Sequence, residues 1–151
     1  MARRRQRRRL RPAAIPAAVL LDSSALSGAA TGQVRVRAEL SLAEELGVGV
    51  HVSSVTLTET LRGHRRDARV HAVLAGTEQQ PVTPELGRAA GELRRQTRRD
   101  DTVDAIVAVT ATGSGARVRL LTGDPDGMNA LTSGMANVTV VPIRPGARRH
   151  S

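Results

Sequence analysis

Short unbroken apolar runs alternate along this chain with stretches in which apolar residues recur every three or four positions. A run of four or five apolar residues closed by turn residues suits a strand buried on both faces, and the three-to-four spacing suits a helix with one buried face. Ala18–Leu21 is the first such strand and runs straight into Asp22-Ser23-Ser24. Residues 37–46 carry helical spacing up to Gly47, a residue type that ends helices, and Val48–Val52 gives a second strand. Ser53 or Ser54 can cap a helix that holds Glu59 in its first two turns and stops at Gly63. A helix over 64–76, an extended piece at Gln80–Thr83 and a helix opened by Pro84 follow. Thr102 is placed to cap a helix over 103–113, apolar almost all round, with Asp104 in its first turn where the helix dipole favours a carboxylate. Val118–Thr122 is a strand, Gly123-Asp124-Pro125-Asp126 a turn, Gly127–Leu131 a short helix, and residues 137–143 the last strand. Strands alternating with helices predict a parallel sheet flanked by helices, whose functional crevice lies beyond the carboxyl ends of the strands. Asp22 and Asp124 each come just after a predicted strand.

Composition narrows the chemistry. At 151 residues the chain is one domain's worth, and with no Phe, Tyr or Trp its core rests on Val, Leu, Ile and Ala. No aromatic platform exists on which a base could stack, so contact with nucleic acid falls to arginine. All 23 basic residues are arginine, seven of them in residues 1–11 and three in 144–149; over residues 12–143 the remaining 13 face 14 acids. The charge divides the chain into a basic tail over 1–14, expected to be disordered alone, a domain over 15–143 and a basic tail over 144–151. The tails could touch nucleic acid or be merely solvated. The apolar stretch 13–21 is too short to span a bilayer and contains Pro16, which argues against membrane insertion and export and for a cytoplasmic protein. The absence of cysteine excludes disulfides and thiolate metal sites.

Four acids, Asp22, Glu59, Asp104 and Asp124, stand beside or within apolar runs, where an unpaired carboxylate is costly to desolvate. A divalent cation would offset that cost: Mg²⁺ or Mn²⁺ takes oxygen ligands, keeps several waters and needs only a few carboxylates with substrate phosphate oxygens. Metal-assisted phosphodiester hydrolysis requires no histidine. His51, His64, His71 and His150 form no ligand spacing and read as solvated or satisfied residues, and TATGSG at 110–115 reads as a helix end rather than a phosphate loop. Structural roles compete at each acid: a cap at Asp22, a pair with Arg62 at Glu59, dipole complementation at Asp104. In Asp124-Pro125-Asp126-Gly127 at least one acid belongs to turn chemistry, which leaves Asp124 and Asp126 in competition; Asp100 and Asp101 fit the start of the following helix. Arg62, Arg65 and Arg66 could guide phosphates, or form a solvated face.

The segments VLLDSSAL at 19–26, SSVTLTETL at 53–61, DAIVAVTA at 104–111 and LLTGDPDGM at 120–128 together resemble the four acidic motifs of the PIN-domain family, and within it the VapC toxins of type II toxin–antitoxin pairs. The resemblance spans roughly residues 18–143. It implies a three-layer α/β/α fold with a mostly parallel sheet and a Mg²⁺- or Mn²⁺-dependent endoribonuclease. It further implies Asp22, Asp104 and Asp124 at the metal, Glu59 completing the acidic pocket, and Ser24 and Thr122 as supporting hydroxyls. A cognate antitoxin and a homodimer are the partners it implies. One departure is the lack of an aromatic residue after the fourth acid, near Met128. Two other readings compete: a non-catalytic nucleic-acid-binding or interaction module that uses the arginine tails, and a metal-dependent nuclease acting on DNA.

Overall fold

Strands form where the apolar runs are unbroken. In the computed structural model, which describes residues 16–144, β1 (Ala18–Leu21), β2 (Gly49–Ser53), β3 (Glu78–Gln80), β4 (Val118–Thr122) and β5 (Val138–Pro142) make one sheet in the order β3-β2-β1-β4-β5. Every pairing is parallel, with Leu21 opposite both Val52 and Leu121. The sheet is thus wholly rather than mostly parallel. Seven helices cover its faces: α1 (Ser23–Thr31), α2 (Val34–Leu46), α3 (Ser54–Thr60), α4 (Asp67–Leu74), α5 (Pro84–Thr97), α6 (Thr102–Thr112) and α7 (Pro125–Thr132).

Alternation along the strands builds two cores. Val19, Leu21 and Leu121 pack with Leu26, Val36, Val70 and Leu74 of α1, α2 and α4. Leu20 and Leu120 turn to the other side and pack with Ala105, Val107, Met128 and Leu131 of α6 and α7. The result is a three-layer α/β/α sandwich, and burying each such Leu, Val or Met contributes about 1.5–3 kcal/mol. Met128, fully buried after the fourth acid, fills that place without an aromatic ring.

Several elements differ from the sequence expectation. α1 was not predicted, because SSALSGAAT carries little apolar periodicity; it is held at its start by Asp22 and at its end by Gly32 in the left-handed region. α2 begins at Val34, before the expected residue 37. α4 begins at Asp67 rather than 64, because the Asp67 carboxylate accepts the N–H groups of Arg62, Gly63 and His64 and folds those residues into a turn. β3 stops at Gln80, since Pro81 has no N–H for the ladder, so the extended piece lies earlier than Gln80–Thr83. Asp101, not Thr102, caps α6. Ser53 does precede α3, yet its buried hydroxyl caps nothing. The basic segment expected at 1–14, and all but Arg144 of the one expected at 144–151, lie outside the described residues. Among the described residues no helix is long and apolar enough to cross a membrane.

Candidate active site

Strand order reverses at β1, with β2 on one side and β4 on the other, and the carboxyl ends of β1 and β4 open the crevice such a reversal creates. Asp22 follows β1 and Asp124 follows β4. Asp22 is only 4% exposed; its Oδ1 accepts the Ala25 N–H at 2.8 Å and the Ser24 hydroxyl at 2.8 Å. Burial raises its carboxyl above the ordinary value, opposed by the Thr122 hydroxyl, the Ala25 N–H, the Ser24 hydroxyl and the Gly123 N–H. Asp22 is therefore a helix cap and a crevice carboxylate at once. Ser24 ties the two strand ends together, because its Oγ also accepts the Gly123 N–H at 2.9 Å. Only glycine suits position 123: a Cβ there would stand 2.7 Å from Ser24 Oγ. Thr122, fully buried, accepts the Asp124 N–H at 3.0 Å and so orients the turn carrying the fourth acid.

Asp104 enters the same crevice from the first turn of α6. Its carboxyl is raised to about 7 by burial, then by the charge of Asp101 and its hydrogen bond, and then by the charges of Asp22 and Asp124. Three acids distant in sequence therefore feel one another, together with Asp101. Asp101 accepts the Asp104 N–H at 2.9 Å, as a cap should, yet it also crowds the site. Sequence reasoning assigned Asp101 to the start of the helix alone; its i,i+3 spacing from Asp104 was the signal available. Asp124 caps α7 through the Gly127 N–H at 3.1 Å, and a Cβ at Gly127 would collide with the Asp124 carboxylate and meet Arg99 Nη2 at 3.2 Å. Arg99 thus reaches the rim of the acids from the α5–α6 connection, which the sequence did not suggest. Asp126, exposed in the first turn of α7, is not among the groups that shift Asp104.

Glu59 joins the start of α1 from α3. It is exposed on α3, accepts the Ser23 hydroxyl at 2.8 Å, and forms no ion pair with Arg62. Ser23 and Ser24 therefore connect Glu59 and Asp22 across the start of α1. His51 is bonded to Gln80 at 2.7 Å, and no histidine is among the groups that shift Asp22 or Asp104.

The donor set fits a hard cation of open coordination. All donors are carboxylate or hydroxyl oxygens, and among the described residues no arginine lies within 4 Å of the carboxylate oxygens of Asp22, Asp104 or Asp124. Among the described residues no three acidic or histidine side chains form a ready-made cage. An ion that keeps several waters and takes phosphate oxygens needs none.

The family model for the PIN domain matches residues 19–131. Among solved structures, VapBC2 from Rickettsia felis bound to a DNA fragment from their promoter superposes with a TM-score of 0.64 at 14% identity, over 83% of this chain and 98% of that one. A toxin–antitoxin complex from Klebsiella pneumoniae gives 0.62 at 18% identity, over 80% and 95% of the two chains. VapBC-5 from Mycobacterium tuberculosis, a member of the VapBC family of toxin–antitoxin systems, gives 0.51 at 21% identity, over 84% and 99%. At these identities the likeness is one of fold. No curated protein sequence matches the chain.

Proposed function

Because this chain belongs to the PIN-domain family, we propose that it is a divalent-metal-dependent endoribonuclease and the toxin of a toxin–antitoxin pair, working in the cytoplasm. The observation that carries this reading is the gathering of Asp22, Asp101, Asp104 and Asp124 at one crevice with no paired base among the described residues, where burial first and then the charges of Asp101, Asp22 and Asp124 push the Asp104 carboxyl up to about 7. Asp22, Asp101 and Asp124 each cap a helix, but no cap needs a second carboxylate beside it; the crowding itself costs stability, and a cation would offset it.

In this reading Asp22, Asp104 and Asp124 hold the ion. A Mg²⁺ or Mn²⁺ bound there supplies neutralisation of the scissile phosphate and acidification of water. Asp104 would have to be ionised to serve as a ligand, so metal affinity should rise as pH passes through about 7. Ser24 fixes the Asp22 carboxylate, Thr122 aims Asp124, and Glu59, held by Ser23, orients the attacking water. The superposed toxin–antitoxin complexes support a cognate antitoxin as partner, and a homodimer is the accompanying assembly proposed.

Asp22→Asn is the informative variant, because asparagine keeps the α1 cap while losing the charge. Cleavage of single-stranded RNA should fall about 100-fold or more, the scale of a lost preorganised electrostatic group, with circular dichroism and melting near wild type. EDTA should stop the wild-type enzyme, and added Mg²⁺ or Mn²⁺ should restore it. An unchanged rate in Asp22→Asn would sink the assignment; cleavage confined to a DNA oligonucleotide would move the activity to DNA.

A further inference from the structure

Two neighbouring cavities run away from the acids across α1. The first, about 420 Å³, starts at Ser23, Ser24 and Glu59 and reaches Ser27, Thr31 and Arg144. The second, about 750 Å³, shares Ser27 and Thr31 with it and is lined by Arg62, His64, Arg66 and Arg69. Ser27 and Thr31 line both, so the two lie side by side along α1 as a track from the hydroxyls that hold Asp22 and Glu59 to a basic groove between α1 and α4. The sole acid lining that groove is Asp67, which is buried with its Oδ2 accepting three backbone N–H groups. Burial pushes its carboxyl up, but the N–H groups of Arg62, His64 and Gly63 outweigh that and hold it below the ordinary value, so it stays ionised and inward-facing. The same three bonds hold the backbone of residues 62–64 against α4 and place Arg62 over the groove with Arg66 and Arg69, three residues apart at the start of α4. Arg65 does not line the groove.

We infer that this track is a binding site for the phosphate backbone of a single RNA strand, with Arg62, Arg66 and Arg69 engaging phosphates on one side of the cut and the Ser27 and Thr31 hydroxyls bridging to the acids. The inference rests on the nuclease reading for the identity of the strand. Guanidinium forks and hydroxyls recognise phosphate without reading bases, and the groove has no aromatic side chain, so the contact is to backbone and is insensitive to sequence. Of the arginines the sequence offered, the proposal takes Arg62 and Arg66, which line the groove, and adds Arg69.

Binding is measured on the full-length Asp22→Asn chain in EDTA, so that cleavage plays no part, with a fluorescent single-stranded RNA of about a dozen nucleotides, long enough for one groove. Replacing Arg62, Arg66 and Arg69 together by alanine should weaken binding at least 10-fold and reduce the salt slope by about 2, at ~0.7 per phosphate. Replacing Arg65, Arg88 and Arg95, equally exposed and equal in charge, should change binding less than twofold. Equal losses in the two triple variants would overturn the site. A second measurement uses the absence of cysteine: Thr31→Cys carrying a photoreactive maleimide should crosslink the RNA, and Ser114→Cys at the far end of the sheet should not. Crosslinking at Ser114→Cys without crosslinking at Thr31→Cys would also overturn the site. So would weaker binding of a polyglutamate peptide, with RNA binding unchanged, in the Arg62/Arg66/Arg69 variant. Failure of metal-dependent cleavage in the wild type would instead strike the nuclease reading, which this binding assay does not test.

Discussion

Asp104 holds its proton because burial disfavours its charge and Asp101, Asp22 and Asp124 add to that, and this has a thermodynamic sign. In metal-free protein the folded carboxyl stays protonated between its ordinary 3.8 and about 7, where the unfolded chain has already released the proton. The native state therefore binds more protons across that window, and this group's contribution to stability falls as pH rises through it, then levels off. The apo protein should melt higher at about pH 5 than at about pH 8, and Asp104→Asn should shrink that difference. Calorimetry on both proteins checks it, and an undiminished pH dependence in the variant would show that the crowding is not felt. Added Mg²⁺ should raise the wild-type melting temperature most at the higher pH. The candidacy of Asp22, Asp104 and Asp124 was legible from acids set among apolar runs. The crowding by Asp101 was open to reading from its place three residues before Asp104, but a cap role hid it; the reach of Arg99 was not legible, because it depends on how the α5–α6 connection lies against the start of α7.

At the scale of elements, α2 is tied to the sheet by an ion pair inside the layer. Glu39, 9% exposed, receives Arg119 of β4 through Nη2 at 2.8 and 3.0 Å and through Nε at 3.2 Å. Removing the arginine leaves the buried carboxylate with only the exposed Arg35, 4.0 Å away, and the partial exposure of Arg119 moderates the cost. Arg119→Ala should destabilise the protein by about 2–3 kcal/mol. Glu39→Met with Arg119→Met should recover most of that, because an apolar pair of similar volume removes the desolvation cost. Urea midpoints of wild type, single and double variants decide it; a double variant no more stable than Arg119→Ala would mean that the pair fixes geometry that packing cannot replace. The elements most legible in the sequence were those buried on both faces, such as β1, β4 and α6. α1 was not, since Ser, Ala and Gly have no strong periodicity and its stability comes from the Asp22 cap and packing on β1 and α4.

For the whole molecule, the decisive asymmetry is charge. Seven arginines lie within residues 1–11, while residues 12–143 carry 13 arginines against 14 acids. Deleting residues 1–12 should reduce the salt slope of single-strand binding by at most about 5, at ~0.7 per arginine–phosphate contact. The deletion should leave metal-dependent cleavage of a short RNA within a few-fold, since the acids and the α1–α4 groove lie in the rest of the chain. Binding lost with no cleavage in either form would instead favour a non-catalytic module. By itself the sequence determined the alternation of strands and helices, the parallel sheet, the arginine-rich ends and the acids at strand ends and early helical turns, because periodicity, turn residues and charge are local properties. Only the tertiary structure decided that Asp22, Asp101, Asp104 and Asp124 gather at one crevice, that Glu59 is joined to the start of α1 through Ser23, and that Arg62, Arg66 and Arg69 line the groove between α1 and α4. The physical reason is that electrostatic coupling and groove shape depend on distances between residues far apart in the chain, and those distances exist only once β1 and β4 lie side by side and α1 and α4 cross them.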